Sequence, residues 1–250
     1  MRSSRLLFVL VLLVFSGTEV WAQSSRSARL AQTNDSFARS QIERGNAAYA
    51  RGEYEVAIGE YLGVSPELKE DYARALYNIG VCYYEMRRDE EAAQMYRRAI
   101  IARGGRYPKA QYALGVVLED LARPGEALAA YQAAISAAHG KCPEAEFKLG
   151  VLAAKAGDLK DAEVRFRHAI AESKEFPESH NNLGVVLARA GRLRDAELEF
   201  AAALEQSGGD FAQARRNLDL CQRLLAASNI TETATPALVN VSTPRQSNWR

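Results

Sequence analysis

The sequence predicts an all-α protein of stacked helix hairpins, and three observations carry this prediction. Alanine, the residue with the highest helix propensity, occurs 43 times among 250 residues. Short motifs recur along the chain at spacings of 34 or 35 residues. Within each recurring unit, apolar residues follow two separate helical stripes divided by turn residues such as Gly157-Asp158. Each hairpin would bury its apolar face against its neighbours.

Every unit carries small and aromatic residues at the same places. A glycine in the first helix is followed twelve residues later by alanine, and sixteen residues later by an aromatic residue. The glycines are Gly45, Gly80, Gly115, Gly150 and Gly184, and the aromatic residues are Tyr61, Tyr96, Tyr131, Phe166 and Phe200. We expect the glycines to lie where the two helices of a hairpin cross, because a larger side chain there would push the backbones apart.

This arrangement resembles the tetratricopeptide repeat family, whose units of about 34 residues have a small residue at position 8, alanine at position 20 and an aromatic residue at position 24. The resemblance covers residues 38–204 in five repeats. It implies a right-handed superhelical solenoid, and Phe211 to Ala227 resembles the capping helix of such arrays. We therefore assign residues 38–227 to the repeat domain, 23–37 to a mobile N-terminal segment and 228–250 to a disordered tail.

The first 22 residues have the order of a secretory signal peptide. Arg2 and Arg5 precede an apolar run from Leu6 to Phe15, and a small-residue cleavage site ends at Ala22. A run of this length covers about half of the roughly 20 residues that a transmembrane helix needs. The sequence thus predicts export to the periplasm or the medium without membrane insertion after cleavage. The runner-up is an uncleaved segment that anchors the chain in the membrane.

Composition and motifs predict a binding protein rather than an enzyme. The 32 basic and 31 acidic residues almost cancel, which excludes the basic surplus that nucleic-acid binding requires. The sequence has no catalytic signature, no phosphate-binding glycine loop and no metal-spaced cluster of cysteine and histidine. We therefore expect no cofactor and no metal. We also expect no intramolecular disulfide, because Cys82, Cys142 and Cys221 fall in units too far apart to pair.

The family resemblance places a partner site on the first helices. In that family, first-helix positions 2, 5 and 9 line a concave groove that holds partner peptides. Carried over residue by residue, they predict ten partner-binding residues. These are Arg74 and Lys109 at position 2, Tyr77, Tyr112, Phe147 and Asn181 at position 5, and Val81, Val116, Val151 and Val185 at position 9.

A stripe that we expect to be exposed is formed by Tyr77, Tyr112 and Phe147 beside Val81, Val116 and Val151. An exposed apolar stripe favours an apolar peptide or an amphipathic helix as the partner, with Arg74 and Lys109 orienting its acidic groups. Two alternatives stay open. Curvature of the superhelix would make the stripe part of the core, or the tail segment Pro236 to Val241 would occupy the groove.

The sequence as a whole predicts an exported, non-catalytic scaffold or adaptor that binds a protein or peptide partner. The alternative is a structural subunit of a homo-oligomeric or envelope assembly, in which the convex face or the ends of the solenoid make the contacts.

Overall fold

The structure is a computed structural model that describes residues 32, 35–173 and 175–228. The predicted signal peptide, most of the segment 23–37 and the tail beyond residue 228 lie outside the described residues. Residues 35–37 already belong to the first helix. The described part contains eleven helices and no strand. They are α1 (35–50), α2 (Tyr54–Leu62), α3 (Lys69–Glu85), α4 (Asp89–Ala102), α5 (Pro108–Asp120), α6 (Pro124–Ala137), α7 (Pro143–Ala156), α8 (Leu159–Glu172), α9 (Pro177–Arg189), α10 (Leu193–Gln206) and α11 (Ala212–Ser228).

The helices form five hairpins and a cap, as predicted. Repeats 1 to 5 are the pairs α1–α2, α3–α4, α5–α6, α7–α8 and α9–α10. The second helix of each repeat also packs on the first helix of the next, and α11 packs on α10 and α9. The molecule is therefore an α-helical solenoid in which each repeat contacts its neighbours.

Proline and a left-handed turn residue set the helix boundaries. The helices α5, α7 and α9 each begin with proline, at Pro108, Pro143 and Pro177. Proline fits there because the first turn of a helix leaves backbone N–H groups without partners in any case. Inside each hairpin, one residue adopts a positive φ, between 57° and 85°, and so turns the chain back. These residues are Gly52, Arg87, Ala122, Gly157 and Gly191.

The core of each hairpin is a close approach between the repeat glycine and the repeat aromatic residue. A Cβ atom on Gly115 would lie 2.5 Å from Cε1 of Tyr131, whose side chain is fully buried. The corresponding distances in the other four repeats are 2.4, 2.6, 2.8 and 2.6 Å. The prediction that these glycines lie at helix crossings is confirmed.

All three cysteines are buried free thiols in different repeats. Cys82 lies in α3, Cys142 directly precedes α7 and Cys221 lies in α11. Burial raises the pKa of each thiol, that of Cys82 to about 12. The nucleophilic thiolate form is therefore scarce at neutral pH in the folded protein.

Replacement of Gly115 by leucine is expected to destabilise the fold by about 1–3 kcal/mol or more, because the new side chain meets a buried ring. The matched control is Gly125→Leu in the first turn of α6, where a Cβ atom has no neighbour within 4 Å. Equilibrium unfolding in urea measures the free energy of unfolding of both variants. Equal stability of the two variants would contradict the crossing role of Gly115.

The native protein is expected to react very slowly with Ellman's reagent and to titrate three thiols after denaturation without reductant. Burial and protonation both protect the thiols in the native state. Fast reaction of one thiol in the native protein would contradict its burial. Fewer than three thiols after unfolding would reveal a disulfide.

Candidate functional site

The predicted groove corresponds to the first-helix face, which is the surface formed by α1, α3, α5, α7 and α9. The structure places Arg74 and Lys109 on this face as exposed side chains, and Tyr112 is half-buried. The other seven predicted residues are buried, with exposed fractions between 0 and 9%. They are Tyr77, Val81, Val116, Phe147, Val151, Asn181 and Val185. The expectation of an exposed apolar stripe is therefore wrong for its five buried members, and the core alternative describes them better. These members are Tyr77, Val81, Val116, Phe147 and Val151.

Aromatic neighbours from two directions bury the stripe. The Tyr77 ring packs against Tyr96 of its own repeat at 5.5 Å between centroids, and against Tyr107 of the next repeat at 5.6 Å. Phe147 is covered in the same way, by Phe166 at 5.7 Å and Phe176 at 5.1 Å. Tyr107 and Phe176 are the residues directly before α5 and α9. The residues directly before α5 and α9 thus cover the position-5 rings of repeats 2 and 4.

Tyr112 stays partly exposed because the residue directly before the next first helix is smaller here than in the other two cases. The residue directly before α7 is Cys142, at the place that Tyr107 and Phe176 occupy before α5 and α9. Tyr112 still packs against Tyr131 of its own repeat, with 5.7 Å between ring centroids. The junction of repeats 3 and 4 therefore presents part of the Tyr112 residue to solvent.

Asn181, the position-5 residue of repeat 5, belongs to the contact with the cap. Its side chain is fully buried, and its Oδ1 accepts a hydrogen bond of 3.0 Å from Nδ2 of Asn217 in α11. Its own Nδ2 donates to Asn182 Oδ1 at 3.3 Å. Repeat 5 thus has an amide at position 5 where repeats 2 to 4 have an aromatic ring, and this amide forms a hydrogen bond to the cap.

A ladder of polar contacts links successive first helices near their C-terminal ends. Tyr49 donates from its hydroxyl to Glu85 at 3.4 Å, and Tyr84 donates to Asp120 at 2.9 Å. Farther along, Lys155 Nζ lies 4.0 Å from Glu119, and Arg189 donates to the carbonyl oxygen of Ala154 at 3.3 Å. Each contact joins residues 35 or 36 apart, so one rung connects each repeat to the next.

Glu119 is the most connected residue of this ladder. Its carboxylate accepts a hydrogen bond of 2.7 Å from the Tyr131 hydroxyl and forms a salt bridge of 3.1 Å with Lys148. Burial, and then the charge of Glu119, raise the pKa of Tyr131, so the phenol is neutral and acts as the donor. Sequence reasoning missed Glu119, although its pairing with Lys155 repeats the 36-residue spacing of Tyr49 with Glu85 and of Tyr84 with Asp120.

Cations lie over two of the rings at the other end of the face. Lys109 Nζ is 5.1 Å from the centroid of the Tyr77 ring, and Arg103 lies 4.9 Å from that of Tyr107. Arg74 pairs with Asp71 on its own helix. Contacts of this kind hold the long cationic side chains against the aromatic rings while their charges remain accessible.

Neither a metal centre nor a membrane span is found in the described ranges. Within residues 35–173 and 175–228, no three histidine, cysteine or acidic side chains cluster so that they could hold a metal ion. No helix of the described part is long and apolar enough to cross a membrane.

Comparison with known proteins agrees with the repeat architecture. The tetratricopeptide repeat profile matches residues 42–110, 90–146, 112–166 and 147–211. The chain belongs to the tetratricopeptide repeat family. Proteins of this family generally mediate protein–protein interactions, and the fold is typically a non-catalytic scaffold. In this family the first helices line the concave groove, so the first-helix face is the candidate surface for a partner.

Solved structures share this fold along most of the chain. YrrB, described as a repeat protein of this family with an unusual peptide-binding site, is 26% identical with a TM-score of 0.56, over 76% of this chain and 95% of its own. PilF of Pseudomonas aeruginosa is 17% identical with a TM-score of 0.67, over 79% and 88% of the two chains. A thermophilic repeat protein of Thermus thermophilus is 22% identical with a TM-score of 0.53, over 74% and 99%. No curated protein matches the chain.

Proposed function

We propose that this protein is an exported, non-catalytic scaffold that binds a segment of a partner protein on its concave face, centred on the junction of repeats 3 and 4. The half-buried ring of Tyr112 carries the proposal. Among the predicted position-5 aromatic residues, Tyr112 alone is not classed as buried. Tyrosine is among the residues that most often dominate the binding energy of an interface, because one ring combines a large apolar area with a hydroxyl.

The surroundings of Tyr112 suit a protein partner. Lys109 lies one helical turn before it on α5, and Glu119 with its bound Lys148 lies farther along the same face. Of these groups only Lys109 is exposed, and an aromatic anchor beside an exposed charge is common in protein interfaces. YrrB, which is similar to this chain, has a peptide-binding site, and this similarity supports a peptide-like partner.

The N-terminal sequence supports the export part of this proposal. The positive residues, the apolar run from Leu6 to Phe15 and the small-residue site at Ala22 favour cleavage and release to the periplasm or the medium. A partner would then belong to that compartment.

A second candidate function is a structural role in a homo-oligomeric or envelope assembly. Two exposed apolar side chains on neighbouring second helices favour it: Val164 on α8 is 47% exposed and Leu198 on α10 is 70% exposed. Both occupy the same position of their repeats, fourteen residues after the repeat glycine. A contact through these residues would use the convex face.

The protein recovered from its own host is expected to begin at Gln23, because signal peptidase would cleave after Ala22. Intact-mass spectrometry of the protein from fractionated cells identifies its first residue directly. The cell fraction that contains the protein shows its compartment. A chain that retains residues 1–22 in the membrane fraction would contradict export in soluble form and favour the anchored alternative.

Replacement of Tyr112 by alanine is expected to weaken partner binding by about 2 kcal/mol or more, because the anchor ring is lost. The tagged protein is cross-linked in intact host cells and the bound partner is quantified, with circular dichroism to verify the fold. Lys109→Glu is the second variant, since its exposed side chain can change without entering the core.

Leu198→Ala on the convex face is the matched control and should keep the partner. Loss of the partner from Leu198→Ala, but not from Tyr112→Ala or Lys109→Glu, would contradict the concave site. Recovery of the protein's own chain alone would favour the structural alternative.

A further inference from the structure

The second helices α2, α4, α6, α8 and α10 lie side by side, and we call the exposed surface that they share the second-helix face. Arg97 on α4 pairs with Glu126 on α6 at 3.3 Å. Arg192, directly before α10, pairs with Glu163 on α8 at 2.6 Å. Salt bridges of this kind connect the second helices of neighbouring repeats. This face is separate from the first-helix face, to which Tyr112 belongs.

The second-helix face contains two rows of exposed residues. The second residue of each second helix belongs to the charged row, which reads, in chain order, Glu55, Glu90, Gly125, Lys160 and Arg194. The residue four positions later, about one helical turn along the same face, belongs to the uncharged row. That row reads Gly59, Gln94, Ala129, Val164 and Leu198. All ten residues are exposed, and the sign of the charged row reverses once, at repeat 3.

Helix stability does not explain the reversal. An α-helix favours anions in its first turn, so Glu55 and Glu90 obey the rule, whereas Lys160 and Arg194 oppose the helix dipole. Residues that break a local rule without structural gain are most often functional. Within residues 35–173 and 175–228, neither Lys160 nor Arg194 forms a salt bridge, and Glu90 has one at 3.5 Å, to Arg123. The charges of the row are therefore available to a partner.

We infer that a second copy of this chain binds the second-helix face, and that a two-fold axis parallel to α6 relates the two copies. Such an axis places repeat 1 opposite repeat 5 and repeat 2 opposite repeat 4, and it places repeat 3 opposite itself. Glu55 then faces Arg194 of the second copy, and Glu90 faces Lys160 of the second copy. Each pair occurs twice, so a row that reverses once is complementary to itself.

This inference develops the structural candidate function by naming the face, the symmetry and the partner residues. It leaves the first-helix face free for the partner protein of the proposed function. The inner pair of Glu90 with Lys160 lies nearer the axis and carries the contact. Glu55 and Arg194 lie farther from the axis and steer the encounter of the two copies.

The same symmetry places large exposed side chains opposite small ones. The large side chains that meet glycine or alanine are 63 to 75% exposed, and the pairs are Leu198 with Gly59, Leu62 with Ala201 and Ile101 with Ala171. The two members of each pair lie at the same distance from the uncharged row of their helix. Val164, which is 47% exposed, meets Gln94. Apolar surface is therefore buried without two large side chains competing for the same space.

At the axis α6 meets its own copy, and its composition suits this contact. Its residue in the charged row is Gly125 and its residue in the uncharged row is Ala129, so small side chains face each other. The one charged residue of α6, Glu126, pairs with Arg123 and Arg97. The two copies can thus approach closely without placing unpaired like charges at the axis.

One facing pair carries like charges. Arg97 faces Arg167 of the second copy, but each arginine has an acid of its own chain. Arg97 pairs with Glu126 at 3.3 Å and Arg167 pairs with Glu163 at 2.5 Å. The net charge at each of these sites is therefore near zero, and the repulsion between the copies is small.

The size of the contact indicates a reversible dimer. The three central second helices, α4, α6 and α8, have 14 residues each. Each is about 21 Å long, and three of them side by side at about 10 Å present roughly 600 Å² per copy. Both copies together bury roughly 1,200 Å², which is the low end for specific interfaces. We therefore expect the dimer to dissociate on dilution.

Sedimentation velocity of the protein purified from its host tests the dimer. The protein is expected to shift from monomer to dimer as its concentration rises, and added salt should shift it back. Lys160→Glu is expected to weaken the dimer by about tenfold or more, because it places acids opposite each other at two sites. The variant adds an anion to the first turn of α8, so it is not expected to lose helix stability.

A charge exchange and a matched control make this test specific. The double variant Glu90→Lys with Lys160→Glu restores opposite charges across the axis and should dimerise within about threefold of the natural chain. Lys69→Glu changes an exposed lysine in the first turn of α3 and alters the net charge as much as Lys160→Glu does. It should leave the dimer unchanged. Circular dichroism verifies the fold of each variant.

Cysteine cross-linking tests the position of the axis. The three natural cysteines are buried. Ala129→Cys places a thiol opposite its own copy, so oxidation by copper phenanthroline should give a covalent dimer on a non-reducing gel. Gln94→Cys alone and Val164→Cys alone should cross-link about tenfold more slowly, because each thiol faces a different residue. An equal mixture of these two variants should cross-link readily.

A chain that stays monomeric at every concentration, a dimer that Lys160→Glu leaves intact, or cross-linking of Gln94→Cys alone as fast as of Ala129→Cys would overturn the inference. The proposed function fails separately, when Tyr112→Ala and Lys109→Glu keep the native partner in cells. Lys160→Glu is expected to keep that partner, because it alters only the second-helix face.

Discussion

In every repeat, the glycine of the first helix packs so closely against the aromatic ring of the second helix that an added Cβ atom would collide with the ring. A Cβ atom on Gly184 would come within 2.6 Å of the Phe200 ring, and the other four repeats are as tight. This contact sets how closely the two helices of a hairpin approach. Since the second helix also packs on the following repeat, the same contact determines how the repeats stack. The burial of the Tyr77 and Phe147 rings on the first helices depends on this stacking.

That stacking decides which chemistry reaches the surface. The residues directly before α5 and α9 cover the position-5 rings of the preceding repeats, so Tyr77 and Phe147 are buried. What remains exposed on the first-helix face is part of Tyr112, together with charged side chains near both ends of the helices. The surface available to a partner is therefore a small aromatic patch between groups of charge, whereas the sequence indicated a long apolar stripe.

The repeat pattern was sufficient to predict the hairpins and the crossings at the glycines, because each depends on residues within one repeat. The burial of Tyr77 was not predictable in this way, since it depends on Tyr107 in the next repeat. Asn181 was assigned to the groove, but its partner Asn217 belongs to the cap. Contacts between repeats required the structure, although the 36-residue spacing of the ladder was a signal already present in the sequence.

A double-mutant cycle on Gly184 and Phe200 tests the central contact most directly. Gly184→Ala alone places a methyl group against the ring, and Phe200→Leu alone leaves a cavity in the hairpin. Together the methyl group occupies part of the vacated space. We predict that the double variant loses less free energy of unfolding than the sum of the two single losses, by about 1 kcal/mol or more. Additive losses would show that the two residues do not constrain each other, and would contradict this account of the fold.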